Sequence, residues 1–191
     1  MSISAVQTGV RTTDSFSDEE KDSAAYETGI MVSGGQLSIQ TQGDGVASSG
    51  FFTLTGGVVL VETSARSQEN SAFTWNPKSR CTLSGGSLAV LSAGAAIQAP
   101  SSAQGMINAV LLSLTTASGQ KLQLKDQNAN EIFVHTPSFE VKAMLLCLPA
   151  LQAGVKYGLI CGDVLQTQFT ITGRLTVAGN SKDQSGQSGE L

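Results

Sequence analysis

Three stretches of the chain share one arrangement of apolar and polar positions. Met31-Val32-Ser33-Gly34-Gly35-Gln36-Leu37-Ser38-Ile39 is followed by Thr53-Leu54-Thr55-Gly56-Gly57-Val58-Val59-Leu60-Val61 and then by Thr82-Leu83-Ser84-Gly85-Gly86-Ser87-Leu88-Ala89-Val90. Each copy is an apolar residue, a small hydroxyl residue, two glycines and a strand whose apolar side chains recur with period two, the signature of one buried face. Ser33 and Thr55 are 22 positions apart, and Thr55 and Ser84 are 29. A repeat of this length is too long for a tight hairpin meander and suits one coil of a large three-sided parallel β-helix, with coils stacked at roughly 4.8 Å. The glycine pair supplies the corner, because glycine takes positive φ without a Cβ clash. Leu37, Val59 and Leu88, with Ile39, Val61 and Val90, are then expected to form ladders inside the tube.

From Asn108 onward the texture changes to longer alternating strands separated by turn signals: 109–114, 121–125, 131–134, 139–148 and 156–161. Antiparallel pairing is the natural reading of such strands. Asp126-Gln127-Asn128-Ala129-Asn130 reads as a hairpin loop; it opens like a calcium-binding loop, but Glu131 stands where that motif needs Gly and Pro137 where it needs Glu. Leu151 to Tyr157 resembles the corner of immunoglobulin-like sandwiches, in which a tyrosine hydroxyl folds back onto upstream backbone. Phe169 to Val177 echoes the repeat and is expected to be a last strand packed on the end of the coils. The expected organisation is therefore a flexible acidic lead-in over 1–28, parallel β-helix coils over 29–105, an antiparallel β region packed on the helix end over 106–178 and a disordered tail over 179–191. The fold class is all-β: a short parallel β-helix followed by a mainly antiparallel, sandwich-like cap.

Composition agrees with a helix-poor chain. Of 191 residues 14% are charged and 5% aromatic, and 21 are glycine, so Ser, Thr, Gln and Asn must make much of the surface. The formal net charge of −4, with basic residues scattered, offers no stripe to neutralise phosphates and argues against nucleic acid. No stretch approaches the roughly 18–20 apolar residues of a membrane span, and residues 1–10 lack the pattern of a signal peptide. Cys81, Cys147 and Cys161 show no CxxC spacing and read as small core residues, with a Cys147–Cys161 bridge as the competing reading. His135 is the sole histidine, which leaves no His pair for zinc and no evident catalytic triad.

Three segments together resemble a known family. They are the Ser/Thr-Gly-Gly repeat with Gly43-Asp44-Gly45-Val46 between coils, the run Ala96-Ile97-Gln98-Ala99-Pro100-Ser101-Ser102, and the closing segments Leu124-Lys125-Asp126, Glu131-Ile132-Phe133, Thr136-Pro137-Ser138 and Leu151 to Tyr157. Across roughly 29–178 the chain is similar to exported bacterial carbohydrate-binding domain-containing proteins. The resemblance implies a right-handed parallel β-helix related in topology to pectate lyases, and binding of cellulose-like or acidic polysaccharide. It also implies calcium at acidic corners, an extracellular or cell-surface location, and further domains in a larger exported protein, without membrane insertion.

On that basis Asp44, Glu62, Glu69 and Asn70 are the candidate calcium ligands. The competing reading has Asp44 cap its own turn. Where the family tends to place two acidic residues this chain has Thr74 and Asn76 around Trp75, which thins the carboxylates that calcium needs. In the inserted segment 63–79, Trp75 and Phe73 are candidates to stack on a pyranose face, with Asn76 bonding its rim. The alternative is that one of the two aromatics plugs the interior. Arg66 and Arg80 are candidates to pair with uronate carboxylates, because a guanidinium fork fits that group. The expected function is non-catalytic polysaccharide binding. A polysaccharide lyase, needing a base such as Arg66, Lys78 or Arg80 and a cation, and a structural or adhesive surface module are the competing classes.

Overall fold

The computed structural model describes residues 1–13, 28–100 and 107–179. Among them are eighteen strands and no helix, as the all-β expectation requires. The first eleven strands are laid down in rounds of three. The first round is β1 (Ser2–Ala5), β2 (Thr8–Thr12) and β3 (Gly29–Val32); the second is β4 (Gln36–Thr41), β5 (Asp44–Ser48) and β6 (Phe51–Leu54). The third is β7 (Val58–Thr63), β8 (Ser71–Thr74) and β9 (Cys81–Leu83), and β10 (Ser87–Ser92) with β11 (Ala96–Ile97) opens a fourth. Corresponding strands pair in parallel, giving neighbours β1-β4-β7-β10, β11-β8-β5-β2 and β3-β6-β9 in three sheets.

The register stacks Leu37 on Val59 on Leu88, and Ile39 on Val61 on Val90. These side chains share one core with Val46, Phe52, Leu54, Phe73 and Leu83. Each such burial stabilises by roughly 1.5–3 kcal/mol before chain entropy is counted.

Two backbone devices set the rounds. At the glycine corner, Gly35, Gly57 and Gly86 have φ of 76°, 87° and 74°. A Cβ on Gly57 would lie 2.6 Å from the Gly35 carbonyl oxygen, and one on Gly86 would lie 2.6 Å from that of Gly57. Both the left-handed backbone and the close stacking demand glycine. This corner takes three residues in every round, and the seven additional residues of the third round fall at its other two corners. At the next corner, Thr41, Thr63 and Ser92 are buried in one column, and each hydroxyl accepts the N–H two residues on, from Gly43, Ala65 and Gly94. The Thr63 hydroxyl also donates to the Gly43 carbonyl at 2.6 Å, so it ties one round to the next.

The flexible lead-in expected over 1–28 needs correction. Residues 2–5 and 8–12 form strands that pair with β4 and β5, because Ile3 and Val10 alternate with polar residues and pack against the core. The acidic stretch 14–27 lies outside the described residues, as do 101–106 and the expected tail from 180 onward.

The remaining strands are β12 (Ala109–Ser113), β13 (Leu122–Asp126), β14 (Glu131–His135), β15 (Ala143–Cys147), β16 (Lys156–Cys161), β17 (Val164–Thr170) and β18 (Leu175–Gly179). They do not simply close the end of the rounds. β15 pairs antiparallel with β10 and with β12, and β18 pairs parallel with β12, which extends the first sheet to seven strands. The antiparallel sheet β14-β13-β16-β17 packs through Leu122, Leu124 and Leu159 against Ala89, Leu91, Leu112, Met144 and Leu146 of the seven-stranded sheet. That sheet therefore carries a core on each face. Phe169 to Val177 is also not one strand: β17 ends at Thr170 and β18 begins at Leu175, in a different sheet.

Local readings of this half hold. The Tyr157 hydroxyl donates to the Ala150 carbonyl at 3.0 Å and accepts the Gln152 N–H at 2.9 Å. Asp126 accepts the N–H groups of Asn128 and Asn130, closing the β13–β14 hairpin. All three cysteines are buried free thiols, and Cys147 and Cys161 belong to different cores, so no bridge joins them. Burial pushes the Cys81 thiol up to about 12 and that of Cys161 to about 11.

Candidate functional site

The seven-stranded sheet is wider than the sheet that covers it, and the step between them is a cleft. On β1, β4 and β7 the residues Ile3, Ile39 and Val61 point into the rounds, so their neighbours Ser4, Gln40 and Glu62 point to the opposite face. Register places Ser4, Gln40, Glu62 and Leu91 in one row across four strands. Ser4 and Gln40 are exposed, Glu62 is 2% exposed and Leu91 is fully buried, so the row runs from open surface to beneath the antiparallel sheet. The cleft at this step has a volume of about 140 Å³. Its floor is Ser4, Gln40 and Glu62, its corner Thr41, Gln42 and Ser64, and its wall Ser138 with the partly exposed Phe139. The wall is held from behind, where the Ser118 hydroxyl donates to the Ser138 carbonyl and the Gly119 N–H to that of Pro137.

Glu62 is the one charged side chain that lines the cleft among the described residues. Its Oε1 accepts from His135 Nε2 at 2.9 Å and its Oε2 from Gln40 Nε2 at 2.9 Å. Burial raises the Glu62 pKa, but the hydrogen bonds from His135 and Gln40, with the charge of His135, more than offset it and hold the carboxyl below its ordinary range. A carboxylate only accepts, so the Gln40 amide turns its NH₂ toward Glu62, which takes one of the two N–H donors and leaves the carbonyl Oε1 and a single N–H to a ligand. A partly exposed phenyl ring beside hydroxyl and amide groups is a surface on which a sugar's C–H face can stack while its hydroxyls are bonded.

The residues singled out from sequence lie elsewhere, apart from Glu62. Phe73 is fully buried and Trp75 is 8% exposed, both in the core of the rounds. Residues two apart on a strand share a face, so the two aromatics go in together, with ring centroids 5.7 Å apart. Thr74 between them bonds the Gln98 side-chain oxygen instead. Neither ring can serve as an exposed sugar platform. Asn76 uses its side-chain oxygen to cap a local turn through the Lys78 N–H. Arg66, exposed, faces Glu140 at 3.7 Å, whereas Arg80 precedes β9 at the far side of β8, so the two arginines form no common site.

The four candidate calcium ligands are not gathered either. Asp44 binds the Arg11 guanidinium and accepts the Ser71 N–H at 2.8 Å, while Glu62 faces the antiparallel sheet from a different strand layer. Glu69 is exposed in a turn, and the Asn70 carbonyl accepts the Ala96 N–H. Among the described residues no three or more Asp, Glu, His or Cys side chains come together as a metal site. Calcium takes about six to eight oxygens with carboxylates among them, and this donor set does not fit it. A wider hollow of about 500 Å³, lined by Arg11, Thr12, Ser48 and Asn76 among others, has no aromatic in its lining among the described residues.

Sequence reasoning missed Ser4, Gln40, Gln42, Ser138 and Phe139. The outward positions of β4 could have been read from the repeat itself, since they alternate with Leu37 and Ile39. The wall could not, because it comes from residues about 100 positions away.

Residues 1–120 match the family of carbohydrate-binding domain-containing proteins. The match spans more than half of the chain, and the chain belongs to that family. It includes every round and the floor of the cleft, and it ends before the wall. No curated protein and no solved structure matches the chain. Among the described residues no helix is long and apolar enough to cross a membrane.

Proposed function

We propose that this chain is a non-catalytic polysaccharide-binding module and that its ligand lies in the cleft between the row Ser4–Gln40–Glu62 and the wall formed by Ser138 and Phe139. The observation that carries the proposal is this convergence of amide, hydroxyl and phenyl groups on one surface, in a member of a carbohydrate-binding family. The cleft is small and open, which suits one sugar unit seated against Phe139 with the polymer continuing over the exposed Ser and Gln side chains of β1 and β4. Phenyl stacking and hydroxyl contacts together give modest affinity per site, as expected for a module that adheres to a long polymer through many equivalent positions.

The same proposal takes the rounds as a right-handed parallel β-helix. Crossovers between parallel strands of one sheet are right-handed in nearly all proteins, and each round is such a crossover. Binding of extended polysaccharide implies a setting outside the cell or at its surface.

Retention on amorphous cellulose, mannan and β-1,3-glucan tests the reading, with Phe139→Ala and Gln40→Ala as variants. Retention of the parent chain on at least one of them, weakened about tenfold in either variant, is the expected result. Release of unsaturated product from any polysaccharide would place the chain among lyases instead, and no retention on any glycan would remove the reading.

A further inference from the structure

From the polarity of the cleft we infer that it selects uncharged, hydroxyl-rich polysaccharides and rejects those bearing uronate carboxylates, with the chain His135–Glu62–Gln40 as the device that sets this preference. The inference rests on the cleft being the glycan site.

Three observations lead to it. The one charged group in the lining is the Glu62 carboxylate, and no Lys or Arg lines the cleft among the described residues. Arg66, which could have met a uronate, faces Glu140 at 3.7 Å, so it brings a counter-charge with it. Finally, Gln40 is held by Glu62, which takes one N–H of its NH₂ at 2.9 Å, so the amide presents a ligand with its oxygen and a single remaining N–H. Sugar hydroxyls donate to such an oxygen. A uronate carboxylate only accepts, so it gains at most the one remaining Gln40 N–H while facing the Glu62 carboxylate, with no Lys or Arg among the described residues of the lining to pair with it.

His135 acts behind this arrangement as a positioning residue. Its Nε2 occupies Glu62 Oε1 at 2.9 Å, which keeps the nearly buried carboxylate in place and ionised, and the ionised carboxylate in turn fixes the Gln40 amide. Replacing Glu62 by Gln keeps the shape but removes the charge and gives Gln40 a partner that both donates and accepts. The amide is then free to flip, and the charge that a uronate would face is gone.

The test uses the full chain and three matched pairs: cellulose, mannan and β-1,3-glucan, each beside the same polymer oxidised at C6 to the uronate. The parent chain is expected to bind at least one neutral polymer and to bind its oxidised partner about tenfold more weakly or worse, at low ionic strength. Glu62→Gln should narrow that ratio several-fold in protein whose strand signature by circular dichroism is unchanged, and His135→Gln should narrow it less. Equal or tighter binding of the oxidised polymer overturns the inference while leaving glycan binding intact. A folded Glu62→Gln chain with an unchanged ratio overturns the role given to the His135–Glu62–Gln40 chain. Binding to none of the six polymers removes the functional reading and this inference with it.

Discussion

The imidazole Nε2 of His135 lies 2.9 Å from Glu62 Oε1, although the two residues are 73 positions apart and belong to different sheets. The contact joins the rounds to the antiparallel sheet at the rim of the cleft. It also makes Glu62 a nearly buried carboxylate whose two oxygens both have donors.

Breaking that contact should be costly. His135→Ala leaves a charge that is 2% exposed with one oxygen unpartnered, and we expect a loss of about 2 kcal/mol in urea unfolding at neutral pH. A stability equal to that of the parent chain would mean that water replaces the imidazole without penalty.

Acid should act through the same carboxylate. Its folded pKa is lowered from 4.5, so as pH falls below about that value the unfolded chain takes up a proton before the folded one. The stabilisation is complete above this point and fades as pH drops through the folded value. Urea midpoints measured from pH 5 to pH 3 should decline less steeply in Glu62→Gln than in the parent chain; parallel slopes would contradict the assignment.

Trp75 is the sole tryptophan and a core residue, so it reports on the fold and not on the ligand. Native emission should be blue-shifted and unmoved by glycan, and Trp75→Ala should cost about 3–5 kcal/mol. The gentler Trp75→Phe should retain glycan as the parent does. Quenching or a spectral shift on addition of a bound glycan would return Trp75 to the site.

The corner glycines permit a matched comparison. Gly86 and Gly119 share positive φ, 74° and 76°, but a Cβ on Gly86 meets the Gly57 carbonyl oxygen at 2.6 Å whereas one on Gly119 meets nothing within 4 Å. Gly119→Ala should cost about 1 kcal/mol for backbone strain alone, and Gly86→Ala at least about 2 kcal/mol more. Thermal unfolding of the two variants side by side decides the matter, and equal losses would mean that the rounds can separate slightly at no cost.

Much of the fold was legible in the sequence, for a physical reason. The glycine pair and the period-two strand after it are constrained at once by backbone conformation and by burial, so they recur visibly, and Leu37, Val59 and Leu88 stack as their spacing suggests. The first two strands, β1 and β2, were not legible. They are short, they are separated from β3 by an acidic stretch, and their partners come from the next round, so Ile3 and Val10 carry no local sign of being buried. The aromatic pair misled because Trp75 and Phe73 are large and sit in an insertion, whereas strand alternation sends both inward and leaves Thr74 outside. The cleft was the hardest part. Its floor comes from β1, β4 and β7 and its wall from the segment after β14, and nothing local announces that Ser138 and Phe139 return to Gln40.

The three-residue glycine corner has a consequence for how such chains can diversify. Backbone rests on backbone there in each layer, so this seam has no room for ornament, while the other two edges already tolerate spans of different length in the third round. Descendants of this chain can grow by duplicating a whole layer or by elaborating two of three edges. Added recognition loops are therefore expected along those two edges, with the seam left bare.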